Sequence, residues 1–111
     1  MRINVKEHAK FSLDRMAKVA LATTVRAQLD LYCVSPGQSQ KPHAHEDQDK
    51  IYYVLEGGGR FVLGGREERL AAGEALVAPA GVEHGLTNDG PDPLLVLVVV
   101  TPPPPHGAKA G

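Results

Sequence analysis

Glycine and proline interrupt this chain so often that no long helix can run through its middle. Pro36-Gly37, Gly57-Gly58-Gly59, Gly64-Gly65, Gly73, Pro79-Ala80-Gly81 and Gly90-Pro91 each punctuate the apolar runs. The runs between them are of strand length, below the ~10–12 residues at which a helix competes. Gln28 to Val34 reads Q-L-D-L-Y-C-V, Ile51 to Leu55 I-Y-Y-V-L, Arg60 to Leu63 R-F-V-L and Glu74 to Ala78 E-A-L-V-A. Gly64-Gly65 has the form of a two-residue hairpin turn leading into Arg66 to Leu70. Short strands at regular spacing predict an all-β chain, an antiparallel sandwich or barrel.

Leu94 to Val100, L-L-V-L-V-V-V, shows no alternation, so both faces of that strand are expected to be buried. One face then needs a cover, and a second copy of the chain is the economical one. A homodimer also suits the size, since a chain of 111 residues buries only about two-thirds of its unfolded surface.

Charge and cysteine usage remove several function classes. Twelve Lys and Arg against 13 Asp and Glu leave a net charge of −1, which argues against electrostatic binding of nucleic acid or a membrane surface. No apolar run approaches the ~18 residues of a spanning helix. Cys33 is the single cysteine, so it forms no intramolecular disulfide and reads as a small core residue. The first residues lack the apolar stretch of a secretory signal, and a cytoplasmic, reducing location is expected. No Gly-x-Ser-x-Gly elbow or phosphate-cradling loop is present.

The division expected is an N-terminal segment over 1–26, a barrel over 27–101 and a Pro-rich tail over 102–111. Ser12 to Leu21 reads as a short helix capped by Ser12, while Val19 to Val25 reads equally as an edge strand. The run Pro102-Pro103-Pro104-Pro105 cannot join a ladder and predicts an extended, mobile tail. His8 and His106 fall in the two termini and are expected to be solvated.

The remaining histidines carry the chemistry. His43-Ala44-His45 on a strand places two imidazoles on one face, because side chains alternate with period two. His84, from a facing strand, would complete a three-nitrogen set with positions left for water or substrate. His-x-His alone is a weak signal, but the glycine framing strengthens it. Gly37, His43, His45 and Gly57 on one side, and Gly73, Pro79, Gly81, His84 and Asn88 on the other, resemble the two motifs of the cupin superfamily. The resemblance spans residues 37 to 88. It implies a jelly-roll barrel (double-stranded β-helix), often dimeric, with a divalent transition metal such as Mn, Fe, Ni or Zn in its mouth. Activities implied include metal-dependent dioxygenases and isomerases acting on small molecules. Gly73, Pro79, Gly81 and Asn88 read as turn and scaffold residues.

One position departs from the pattern. Counting back from Gly57, the place of the usual metal-binding glutamate holds Lys50. An ammonium about 4 Å from a divalent cation would be repelled by roughly 8 kcal/mol at an effective dielectric of 20. Three outcomes are open. Lys50 snorkels to the rim while Gln48, or Asp49 through a bulge, turns in as a ligand. A three-histidine site takes water in the fourth position. Or no metal binds, and Lys50, with Tyr52 on the same strand face, lines a non-catalytic site for a small anionic or sugar-like ligand. Without a metal, any catalysis would fall to His84 and Lys50 as acid and base.

Overall fold

The computed structural model describes residues 1–105. His106, expected to be solvated, lies outside that range. Nine strands follow in order: β1 Ala17–Thr23, β2 Gln28–Val34, β3 Ser39–His43, β4 Asp49–Glu56, β5 Gly58–Leu63, β6 Arg66–Ala71, β7 Ala75–Ala78, β8 His84–Thr87 and β9 Leu94–Thr101. They form two antiparallel sheets, a five-stranded β1-β2-β9-β4-β7 and a four-stranded β3-β8-β5-β6. The expected all-β jelly roll is what forms. Gly64 and Gly65, at φ 58 and 81, make the β5–β6 turn in the left-handed conformations that a tight hairpin requires. No helix among the described residues is long and apolar enough to cross a membrane.

The helical expectation for Ser12 to Leu21 gives way to β1. Pairing with β2, with Lys18 opposite Tyr32 and Val19 opposite Leu31, covers what would otherwise be a bare sheet edge. The only helical turn among the described residues is a 3-10 turn at Val5–His8.

Between the sheets lies the core: Tyr32, Val34, Tyr52, Val54, Phe61, Leu70, Leu76, Leu86 and the inward side of β9, from Leu94 through Val96 and Val98 to Val100. β9 is the middle strand of its sheet, bonded to β2 and β4. Its outward Leu95 packs with Leu31 and Cys33 under Val5, Ala9, Ala17, Val19 and Leu21. The cover expected from a second subunit is thus supplied, at this end of β9, by the chain's own N-terminal segment. A Lys6–Glu56 ion pair at 2.8 Å and a bond from the Lys10 amide to Cys33 Sγ at 3.4 Å fasten it. The start of the proline tail is also tied down, since the Pro102 carbonyl accepts from Gln48 Nε2 at 3.1 Å.

One irregularity positions the site. β3 and β8 pair Gln40 with Leu86 and then His43 with His84, three steps on one strand against two on the other. The extra residue is a bulge around Lys41-Pro42, where proline's missing N–H leaves no ladder bond unmade. The bulge reverses the facing of the residues beyond it. Gln40 and Leu86 point into the barrel, and plain alternation over the three steps from Gln40 would turn His43 out. Gly85 makes room for it: a Cβ there would sit 2.7 Å from the Gln40 carbonyl oxygen and 2.9 Å from the Pro42 nitrogen.

Candidate functional site

His43 ends β3, His84 begins β8, and His45 sits in the loop after β3 rather than on the strand. Strand alternation therefore does not bring the first two rings together; the bulge and the loop do. The Gly81 amide donates to the His45 carbonyl at 2.8 Å, and the Ala80 amide to Asp49 Oδ1 at 2.9 Å. The Pro79-Ala80-Gly81 turn thereby clips the second motif onto the first. Asn88 has a comparable role, donating to the carbonyls of Val34 at 2.9 Å and Asp92 at 2.8 Å.

The rings of His43, His45 and His84 converge, with centroids 5.0 Å apart for His43–His45, 4.4 Å for His43–His84 and 6.3 Å for His45–His84. His43 Nδ1 lies 2.9 Å from the Lys41 carbonyl, and His84 Nδ1 2.9 Å from the Val82 carbonyl. A carbonyl only accepts, so each Nδ1 carries the proton and each Nε2 presents a lone pair. All three Nε2 atoms are buried without a hydrogen-bond partner. Burial pushes all three imidazoles toward neutrality, His84 down to about 4. The carbonyl bonds of His43 and His84 oppose that shift, while Lys50 adds to it for each ring. Three imidazoles pushed toward neutrality, with their Nε2 atoms buried and unpartnered, fit a divalent transition metal. As they stand, no three His, Cys, Asp or Glu side chains among the described residues close into a complete metal-ligand group. The widest gap in the triad is the His45–His84 pair.

Lys50 does not snorkel. It is 1% exposed, and its Nζ donates to Tyr32 Oη at 3.3 Å. Burial, followed by repulsion from Lys18, brings its pKa down to about 7, with Asp30 opposing. Asp30 is buried beside it, held by Gln28 Nε2 at 2.9 and 3.0 Å from its two oxygens. Burial raises the Asp30 pKa against the pull of Gln28, Lys50 and Lys18. Gln48 Nε2 donates to the Pro102 carbonyl, and Asp49 is exposed and accepts from the Ala80 amide on the Pro79 turn. Tyr52 is fully buried, 6.0 Å from the His84 ring, and donates to Gln40 Oε1 at 2.9 Å.

Sequence inspection passed over Lys18, Asp30, Tyr32 and Gln40. For Asp30 and Tyr32 the signal was the alternation in β2, where Gln28, Asp30 and Tyr32 share one face, and that face is the barrel interior. The site has two walls. Neutral imidazoles come from the four-stranded sheet, and lysines, one carboxylate and two tyrosines from the five-stranded one.

A jelly roll whose mouth gathers three histidines is the architecture of a cupin, and residues 30–100 match the cupin domain family. The chain belongs to that family. Among its relatives is TT1209 from Thermus thermophilus, 43% identical, with a TM-score of 0.90 over 93% of this chain and 98% of that one. KdgF from Halomonas sp. is 29% identical, with a TM-score of 0.81 over 93% of each chain. The oxalate-binding protein of Thermotoga maritima is 36% identical over 64 residues, 58% of this chain and 53% of that protein. The chain thus aligns with about half the length of that curated relative.

Proposed function

We propose that this protein binds a small organic acid between its two sheets, at a divalent transition metal held by His43, His45 and His84. The observation that carries the proposal is the set of three buried, unpartnered Nε2 atoms. Bound there, Mn, Fe, Ni or Zn would supply a Lewis acid with positions left for oxygen ligands. The three ligands are neutral, Lys50 stands where the family motif has glutamate, and among the described residues no carboxylate joins the three histidines to balance the metal's charge. The ligand must bring the anion. Its kinship with a protein named for oxalate binding supports the same class of ligand. The cupin fold serves many chemistries, so the proposal is one of binding rather than of a particular reaction.

A metal-free anion site is the second reading, favoured by the inward Lys50. Elemental analysis of untagged protein purified without chelator, followed by titration of wild type and Lys50→Glu with manganese, iron(II), nickel and zinc, separates the two. The metal reading expects stoichiometric uptake by wild type, tighter uptake by Lys50→Glu, and loss in His84→Ala. Negligible uptake by wild type, with acid binding abolished in Lys50→Glu, would establish the metal-free site instead.

We also infer that two copies associate through the part of the five-stranded sheet that the N-terminal segment leaves open. Tyr53 is 41% and Val77 55% exposed there, beside half-buried Ile51, Leu97 and Val99. Light scattering should report a dimer that Val77→Lys converts to monomer. A monomeric wild type at all working concentrations would overturn the inference.

A further inference from the structure

The five-stranded wall carries more charge than one lysine. Lys18, on β1, is the direct cross-strand partner of Tyr32 on β2, so both side chains share the inner face. Its Nζ lies 5.5 Å from the centroid of the Tyr32 ring, and Lys50 Nζ lies 5.8 Å from the same centroid. Two lysine side chains thus share one buried phenol. Asp30 is the carboxylate that faces both. With both lysines protonated, two cations against one carboxylate leave this wall positive, and the opposite wall offers neutral imidazoles or, with metal, further positive charge. A ligand with a single acidic group neutralises one wall and leaves the other uncompensated.

We propose that Lys18 and Lys50 form a two-cation subsite, and that the ligand is a small dianionic acid with one acidic group at the histidines and the other at the lysines. This rests on the anionic-ligand reading above and narrows it. It also makes β1 a specificity element, since Lys18 lies outside the matched domain at residues 30–100. Lys18 is exposed at the rim while Lys50 is sealed inside, so an entering acid meets Lys18 first. The rim position also lets Lys18 be changed with little disturbance to the core.

The test is calorimetric titration of the full chain, saturated with manganese and then stripped of it, with oxalate, malonate and succinate and with the monomethyl ester of each. Wild type should prefer at least one diacid over its ester by about tenfold, the size of one charge-assisted contact. Lys18→Met should lose about tenfold for that diacid and change less than twofold for the ester. Lys18→Arg should keep the preference, and manganese affinity and melting temperature should stay as in wild type. Equal affinity of wild type for every diacid and its ester, or equal loss of both in Lys18→Met, overturns the two-cation subsite while leaving the anion reading intact. No binding of any acid by wild type overturns both.

Discussion

β2 and β6 sit in opposite sheets and are built on opposite plans. In β6, Arg66, Glu67, Glu68 and Arg69 are exposed and Leu70 alone is buried. β2 has no exposed residue: Leu31 and Cys33 are covered on the outside, while Asp30 and Tyr32 are buried on the inside. The four-stranded sheet therefore follows the usual rule of charge out and core in. The five-stranded sheet breaks it, because the N-terminal segment gives its outer face a second, smaller core. With apolar burial partly moved outside, the inner face of that sheet can hold charge. Its apolar packing is thickened on the outer face, and its buried charges lie on the inner one.

The contrast can be broken most severely at Gly85, in the four-stranded sheet. Gly85→Val places a branched side chain where even a Cβ meets the backbone of β3. It should cost about 3 kcal/mol or more, seen as a lowered urea midpoint, and should remove metal uptake.

A somewhat smaller effect of opposite sign is expected from Lys50→Met, which removes the charge from the inner face of the five-stranded sheet. The native amine titrates near 7 against an ordinary 10.5. Between those values the unfolded chain binds a proton that the native chain does not, so native stability rises with pH across this window. Below about pH 7 both states are protonated and the full penalty of burying the charge stands. Lys50→Met should accordingly be more stable than wild type by roughly 3 kcal/mol at pH 6, with the gain fading toward pH 10. Paired urea titrations across that range would show it; a gain that grew with pH would refute it.

Next in size is removal of residues 1–9, which uncovers Leu31, Cys33 and Leu95. A loss of about 2 kcal/mol is expected, and Cys33 should become reactive toward a thiol reagent under native conditions. If stability and thiol protection both survive, the outer core is not what supports this sheet. The smallest effect belongs to the exposed face of the four-stranded sheet. Breaking the Arg60–Glu67 pair, 3.9 Å apart, with Glu67→Ala should shift stability by no more than about 0.5 kcal/mol.

Much of the fold was legible because turn chemistry is local. The glycine-rich hairpin, the strand-length runs and the Pro79-Ala80-Gly81 turn each announce themselves within a few residues. The three histidines were legible as well, through their framing, though the mechanism expected for pairing them was not the one used. What stayed hidden depends on contacts distant in sequence. The choice of strand over helix at Val19 and Leu21 is settled by pairing with β2, and Leu95 is covered by Val5 and Ala9. Asp30 and Tyr32 face inward because Leu31 and Cys33 find apolar company outside. The direction of Lys50, rim or interior, stays open in the sequence because burying its charge is costly; here Tyr32 and Asp30 offset part of that cost.

The extra residue in β3 gives the site an unusual genetic tolerance. Losing one codon between Gln40 and His43 leaves two steps on β3 against two on β8, so the ring would still pair with His84 and still face inward. The same loss between Phe61 and Leu63, where β5 and β8 already pair one to one, would turn every residue beyond it to the opposite face. A gap in an alignment across residues 40–43 is therefore compatible with an intact histidine cluster, whereas a gap inside β5 is not compatible with an intact core.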